Sequence, residues 1–286
     1  MENAIEVTNL SKHYSKFSLD RVNLNLPRGY VMGLIGPNGA GKTTLIRTLM
    51  GVLKQDSGSI HLLGQDMSAS DTTAKNHIGF VYDDFPFYQD RFMKTLARVF
   101  ALSYSSWDWD QYYENLERFG LPRNKQLRNL SRGMRMKFSL ALALSHKAEL
   151  ILMDEPTAGL DPVFRRELLT QLSDILIDER CAVLFSTHIT SDLDRIADYI
   201  AVLRQGQLVL STSLSEIEDN WGIVRTSDWK PDNSLPVLGI RREPHGVEVL
   251  TDNRRTLTAA LSGDFVVEKP SIEDVLVHLS KGGHDA

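Results

Sequence analysis

Apolar and polar positions alternate, or apolar ones run together, over residues 5–10 and 19–26, which predicts two short strands parted by a polar turn around Ser15. Val31-Met-Gly-Leu-Ile35 is continuously apolar, as a buried strand is, and it runs into a glycine-rich loop. Beyond the loop, Thr44–Met50 has helical periodicity and stops at Gly51. Residues 59–63 and 78–82 predict two further strands. From about Thr95 to Gly120 the pattern is helical and aromatic-rich, with a pause near Ser105-Ser106, and another helix starts after Leu130-Ser131 and reaches about His146. Leu150–Met153 and Ala182–Phe185 are fully apolar strands with a helix over about 163–178 between them. Apolar strands separated by helices predict an α/β fold with a parallel core sheet covered on both faces. Ile200–Leu203, Gly206 and Leu208–Leu210 resemble a closing hairpin.

Near Asn220 the texture changes. Pro231, Pro236, Pro244 and Gly246 punctuate short strand-like pieces, and a helix closes the chain at about 271–280. This divides the chain into a main domain, 1–218, and a small α+β extension, 219–286.

Composition narrows the classes. The 286 residues suffice for a full α/β core, and 42% hydrophobic with 24% charged residues is ordinary for a globular protein. A net charge of −5 argues against a nucleic-acid partner, which calls for a basic excess. The single cysteine, Cys181, lies in an apolar run and reads as a buried structural thiol in a reducing compartment. The opening residues have neither the basic nor the apolar region of a secretory signal, and no run approaches about 18 apolar residues, so no bilayer span is expected.

Two motifs carry chemistry. Gly36-Pro-Asn-Gly-Ala-Gly41-Lys42-Thr43 has the full G-x-x-x-x-G-K-[ST] pattern between a strand and a helix. Glycines allow backbone N–H groups to wrap a phosphate, and the helix presents its positive end to the same anion. Lys42 adds a point charge toward the β- and γ-phosphates, and Thr43 offers a hydroxyl to Mg²⁺. Downstream, the strand Leu150–Met153 ends in Asp154 and Glu155. Asp154 can reach the Mg²⁺ shell, and Glu155 can polarise a water for in-line attack on the γ-phosphate.

Leu130-Ser131-Arg132-Gly133-Met134 is similar to the Leu-Ser-Gly-Gly-Gln signature of ABC ATPases. Ala158-Gly-Leu-Asp161 resembles that family's D-loop, Ser186-Thr-His188 its switch histidine, and Tyr14 the aromatic that stacks on adenine. The motifs follow family order over about residues 2–218. The resemblance implies a P-loop NTPase fold with a parallel core sheet, an antiparallel β subdomain and an inserted helical subdomain at about 85–146. It also implies ATP and Mg²⁺ as cofactors. The expected nucleotide contacts are Tyr14, Gly36, Asn38, Gly39, Ala40, Gly41, Lys42, Thr43 and Thr44, with Ser131 and Gly133 supplied by a second copy, or a paralogous ATPase subunit, in a head-to-tail dimer. Mg²⁺ falls to Thr43, Asp83 and Asp154, and catalysis to Glu155, His188, Lys42 and Asp161, the last coupling the two sites. The chain departs from the family at Arg132 and Met134, and at the Q-loop, where Asp83 or Asp84 replaces glutamine.

Phe85, Phe87 and Tyr88 follow the Q-loop, where transporters of this family receive a helix of the membrane subunit; alternatively they pack inside the subdomain. The segments Tyr104–Asp108, Met134–His146 and Ser186–Asp192 resemble the exporter ATPases that Gram-positive bacteria encode beside GntR-type regulators, which export cytotoxic peptides and antibiotics. That resemblance implies a peripheral ATPase at the cytoplasmic face of a bacterial membrane, beneath a separate membrane subunit. The alternative is a soluble ABC ATPase acting on the ribosome or DNA; the single phosphate loop and the lack of sustained heptads between residues 36 and 131 count against it.

Overall fold

Alternation along each buried strand assigns its side chains to two cores, and the layers follow from that. In the computed structural model, which describes residues 2–67, 73–81, 87–175, 181–227, 229, 234–244 and 246–280, the chain begins with β1 (Asn3–His13) and β2 (Ser18–Pro27). β3 (Val31–Ile35) leads through the glycine-rich loop into α1 (Lys42–Leu49), and β4 (Ser57–Leu62), β5 (Gln65–Asp66) and β6 (Ile78–Val81) follow. Three helices come next, α2 (Met93–Ser103), α3 (Trp109–Arg118) and α4 (Arg132–Leu144). Then β7 (Leu150–Met153), α5 (Pro162–Ile175), β8 (Ala182–Thr187) and α6 (Thr190–Ile196) alternate before the hairpin β9 (Tyr199–Arg204) and β10 (Gln207–Ser213).

The central sheet has the order β10-β9-β3-β8-β7-β6, parallel except at β10. Met32 and Leu34 of β3, with Leu150 and Leu152 of β7, face α1 and the antiparallel sheet β2-β1-β4-β5. Val31 and Ile35, with Ile151 and Met153, face the opposite core, which takes in α2 to α5. Such two-sided burial is why these strands read as unbroken apolar runs.

The expected helical stretch 95–120 is two helices, parted at the expected pause near Ser105-Ser106. Asp108 breaks it: its carboxylate accepts the N–H groups of Asp110 and Gln111 and caps α3, so the chain turns between Ser103 and Trp109. The phosphate-loop helix starts at Lys42 rather than Thr44. The hairpin forms as expected, with Gln205 and Gly206 both at positive φ. The expected strand end at residue 82 and the end of the 163–178 helix lie outside the described residues. Cys181 is buried, as expected.

α7 (Leu214–Asn220), unforeseen by the periodicity and capped by Ser213, leads into the last segment. That segment has β11 (Gly222–Thr226), β12 (Gly239–Glu243), β13 (Gly246–Thr251), α8 (Arg254–Ala260), β14 (Phe265–Glu268) and α9 (Ile272–Ser280). Its strands form one antiparallel sheet, β12-β13-β11-β14. Val224, Val249 and Leu257 make a small core of their own, whereas Ile223, Leu250, Ile272 and Val275 join the large core beside Leu193, Ile217 and Trp221. No helix among the described residues is long and apolar enough to cross a membrane.

Candidate functional site

Because β3, β8 and β7 are adjacent and parallel, their carboxyl ends open at one edge of the sheet, where ligands of open α/β sheets bind. β3 delivers the glycine-rich loop. Gly39 and Gly41 hold φ of 80° and 109°, and Gly36 lies so close to Leu203 that a Cβ there would stand 2.2 Å from the Leu203 carbonyl oxygen. Gly41 precedes α1 with no side-chain cap and no acid in the first turn, so the helix keeps its N–H groups and positive end for an anion. Asn38 is exposed at the loop tip, Ala40 is buried with its carbonyl accepting the Gly206 N–H at 3.0 Å, and the Thr44 carbonyl accepts the Thr48 hydroxyl.

Lys42 is only 5% exposed, and a buried ammonium needs partners. Its Nζ donates to the Gly36 carbonyl at 2.7 Å and lies 3.3 Å from Oε1 of Glu155. Glu155 Oε2 is 2.8 Å from Nδ1 of His188, which leaves Glu155 between the loop lysine and the histidine. With an ionised carboxylate, Nδ1 carries the proton and donates. Glu155 itself sits at φ 47°, uncommon for a residue with a side chain, and its N–H is held by Ser186 Oγ at 2.8 Å. One residue earlier, Asp154 Oδ1 accepts from Thr43 Oγ1 at 3.2 Å and from Ser186 Oγ at 2.7 Å.

The oxygen donors Thr43 and Asp154, a hydroxyl and a buried carboxylate side by side, are the hard set that fits Mg²⁺. Asp83 and Asp84, and Phe85 with them, lie outside the described residues. Tyr14 is 46% exposed on the β1–β2 turn, and Phe17 of the same turn packs against Gly41, so the turn stands beside the phosphate loop.

Ser131, Gly133 and Asp161 gather elsewhere. Ser131 caps α4 through the Met134 N–H, and Asp161 caps α5 through the N–H groups of Val163 and Phe164. A Cβ on Gly133 would meet the Phe164 ring at 2.4 Å, and one on Gly159 would meet the Arg132 guanidinium at 2.6 Å. The starts of α4 and α5 are therefore interlocked within one chain. Of the expected docking aromatics, Phe87 packs edge-on against Phe100, while Tyr88 is exposed, as are Val99 and Leu102 on α2. Sequence reasoning missed Ser186 as a site residue, naming it only as the start of Ser186-Thr-His188.

The family model described as ABC transporter matches residues 19–158. A bacitracin transport ATP-binding protein of Enterococcus faecalis is 30% identical, over 76% of this chain and 71% of its own. A lantibiotic transport ATP-binding protein of Streptococcus pyogenes is 31% identical, over 76% of this chain and 96% of its own. Among solved structures, the ATP-binding subunit of an ABC transporter matches with a TM-score of 0.68 and 26% identity, covering 75% of this chain and 92% of that one. CbiO1 of Clostridium perfringens, part of the ABC transporter complex cbiONQ, matches with a TM-score of 0.66 and 25% identity over 76% and 91%.

Proposed function

The chain belongs to the ATP-binding proteins of ABC transporters, and we propose that it powers export by closing on ATP as a head-to-tail pair beneath a separate membrane subunit. It is an ATPase: it binds ATP and hydrolyses it to ADP and phosphate. The observation that carries the mechanism is the convergence of Lys42, Glu155 and His188 at the mouth of the phosphate loop.

In this reading the β- and γ-phosphates lie on the loop amides and the N-terminus of α1, and Lys42 exchanges its carboxylate partner for phosphate oxygen. Glu155, released from Lys42, orients the attacking water and takes its proton, while His188 holds the other carboxylate oxygen and lies at the γ-phosphate side. Thr43 and Asp154, with Asp83 or Asp84, would hold Mg²⁺, which would neutralise phosphate charge. Tyr14 stacks on the base. Ser131 and Gly133 face the nucleotide of the partner copy, and Asp161 fixes the start of α5 at the shared interface. The exposed Tyr88, Val99 and Leu102 receive a helix of the membrane subunit, which puts the protein at the cytoplasmic face of the membrane. The two relatives named for bacitracin and lantibiotic transport favour amphipathic peptide or antibiotic cargo.

The test is a pull-down of the tagged chain from native membranes with and without ATP, beside size-exclusion of Glu155→Gln with ATP. A polytopic membrane protein in the first and a dimer in the second are expected. Ribosomes or DNA in the first, or a monomer in the second, would overturn the respective part.

A further inference from the structure

Glu155 and His188 meet at 2.8 Å although they hang on different loops. The ladder between their strands ends at Met153 and Phe185, before either Glu155 or His188 is reached. Something beyond the ladder must hold the two loops in register. Asp192, in the first turn of α6, has a side chain only 1% exposed. Its Oδ2 accepts the Thr157 hydroxyl at 2.6 Å and the Thr187 hydroxyl at 3.4 Å, and its Oδ1 accepts Arg165 Nε at 2.5 Å. Thr157 lies two residues past Glu155, and Thr187 is the neighbour of His188. Arg165 sits one turn into α5, its N–H bonded to the Asp161 carbonyl, and its guanidinium also donates to Ser191.

One buried carboxylate thus joins the loop of Glu155, the loop of His188 and the helix that Asp161 caps. A buried ion pair is a weak source of stability, because desolvation offsets the attraction; fixing one arrangement is its best-attested use. Resting on the reading of Glu155 as the residue that orients water, we infer that Asp192 is a positioning residue for hydrolysis: it sets the register of Glu155 against His188. An apolar residue of similar size would fill the space but leave two hydroxyls and a guanidinium without their common acceptor.

Asp192→Asn tests this, since the amide keeps the shape but must turn an N–H₂ toward a donor. Displacing a reacting group by about 1 Å costs on the order of 10²-fold, so kcat is expected to fall about 10- to 100-fold, with KM for ATP unchanged within about twofold. In single turnover, Asp192→Asn combined with Glu155→Gln is expected to be no slower than Glu155→Gln alone, because the two act through one group. Losses that multiply, or a kcat for Asp192→Asn near wild type, would overturn the role. Thr157→Val, nearly isosteric, removes one bond only; a smaller loss in kcat at constant KM supports the role even where Asp192→Asn folds poorly, and an unchanged kcat overturns it. Full turnover by Glu155→Gln would instead remove the premise, which keeps the two failures apart.

Discussion

The sheet edge at the phosphate loop and the antiparallel sheet of residues 222–268 use charge in opposite ways. At the first, Lys42, Asp154 and Glu155 are largely buried, and each has partners supplied by other loops. At the second, Arg225 pairs with Glu248 and Glu268, and Arg241 with Glu243, on a sheet face where the two guanidinium side chains remain 44% and 43% exposed. Burial strengthens the field around each charge and makes it expensive to leave unpaired, which is the condition for positioning phosphate and water. In the second sheet solvent screens the same residue types, and they decorate a face whose reverse side is packed. Charge type is therefore a poor guide to function here; burial and the origin of the partners separate the two.

Four measurements would break or sharpen that contrast. Glu155→Gln is expected to lower turnover about 10²- to 10⁴-fold in a steady-state phosphate-release assay while retaining ATP binding, as loss of a positioned base does. Ile272→Ala, in α9, is expected to destabilise by about 2–5 kcal/mol in a urea titration with KM for ATP unchanged, since the residue fills the shared core. If it shifted KM instead, the last segment would have to be joined to the site energetically as well as through packing.

His146 gives an intermediate effect. It is fully buried, stacked on Tyr104 at 3.9 Å, and burial lowers its pKa from 6.5 to about 4. The unfolded chain then binds its proton more readily, so stability is intact above pH 6.5 and falls as pH drops through the 6.5-to-4 window. The loss at pH 5.5 is on the order of 1 kcal/mol, and chemical denaturation at pH 7.5 and 5.5 should show it shrinking in His146→Gln. Arg225→Ala is expected to change stability least, by under about 1 kcal/mol, and to leave hydrolysis untouched in the same assays.

The legible parts of the site were those encoded within a few consecutive residues. The glycine-rich loop, Lys42 and Thr43 follow from backbone geometry that glycine spacing dictates, and Asp154 and Glu155 from an apolar strand that ends in acid. Ser186 and Asp192 were not legible, because a serine after an apolar run and an aspartate in a polar helix turn are both commonplace. Only strand neighbours bring them to Asp154 and Thr157, more than thirty residues away in each case. The break of the 95–120 stretch was legible as the pause near Ser105-Ser106, and the capping bonds of Asp108 mark where the second helix begins.

What the chain determined by itself was the parallel core, the phosphate loop, the pair of acids and the family to which they belong, since period, glycine placement and motif order are local properties. Tertiary structure alone decided that Glu155 stands between Lys42 and His188, that Gly133 is filled by Phe164 of its own chain, and that α9 closes the large core. Those outcomes depend on which strands lie side by side and which faces meet. That choice is made by burying apolar area over the whole molecule, and no short stretch of sequence contains it.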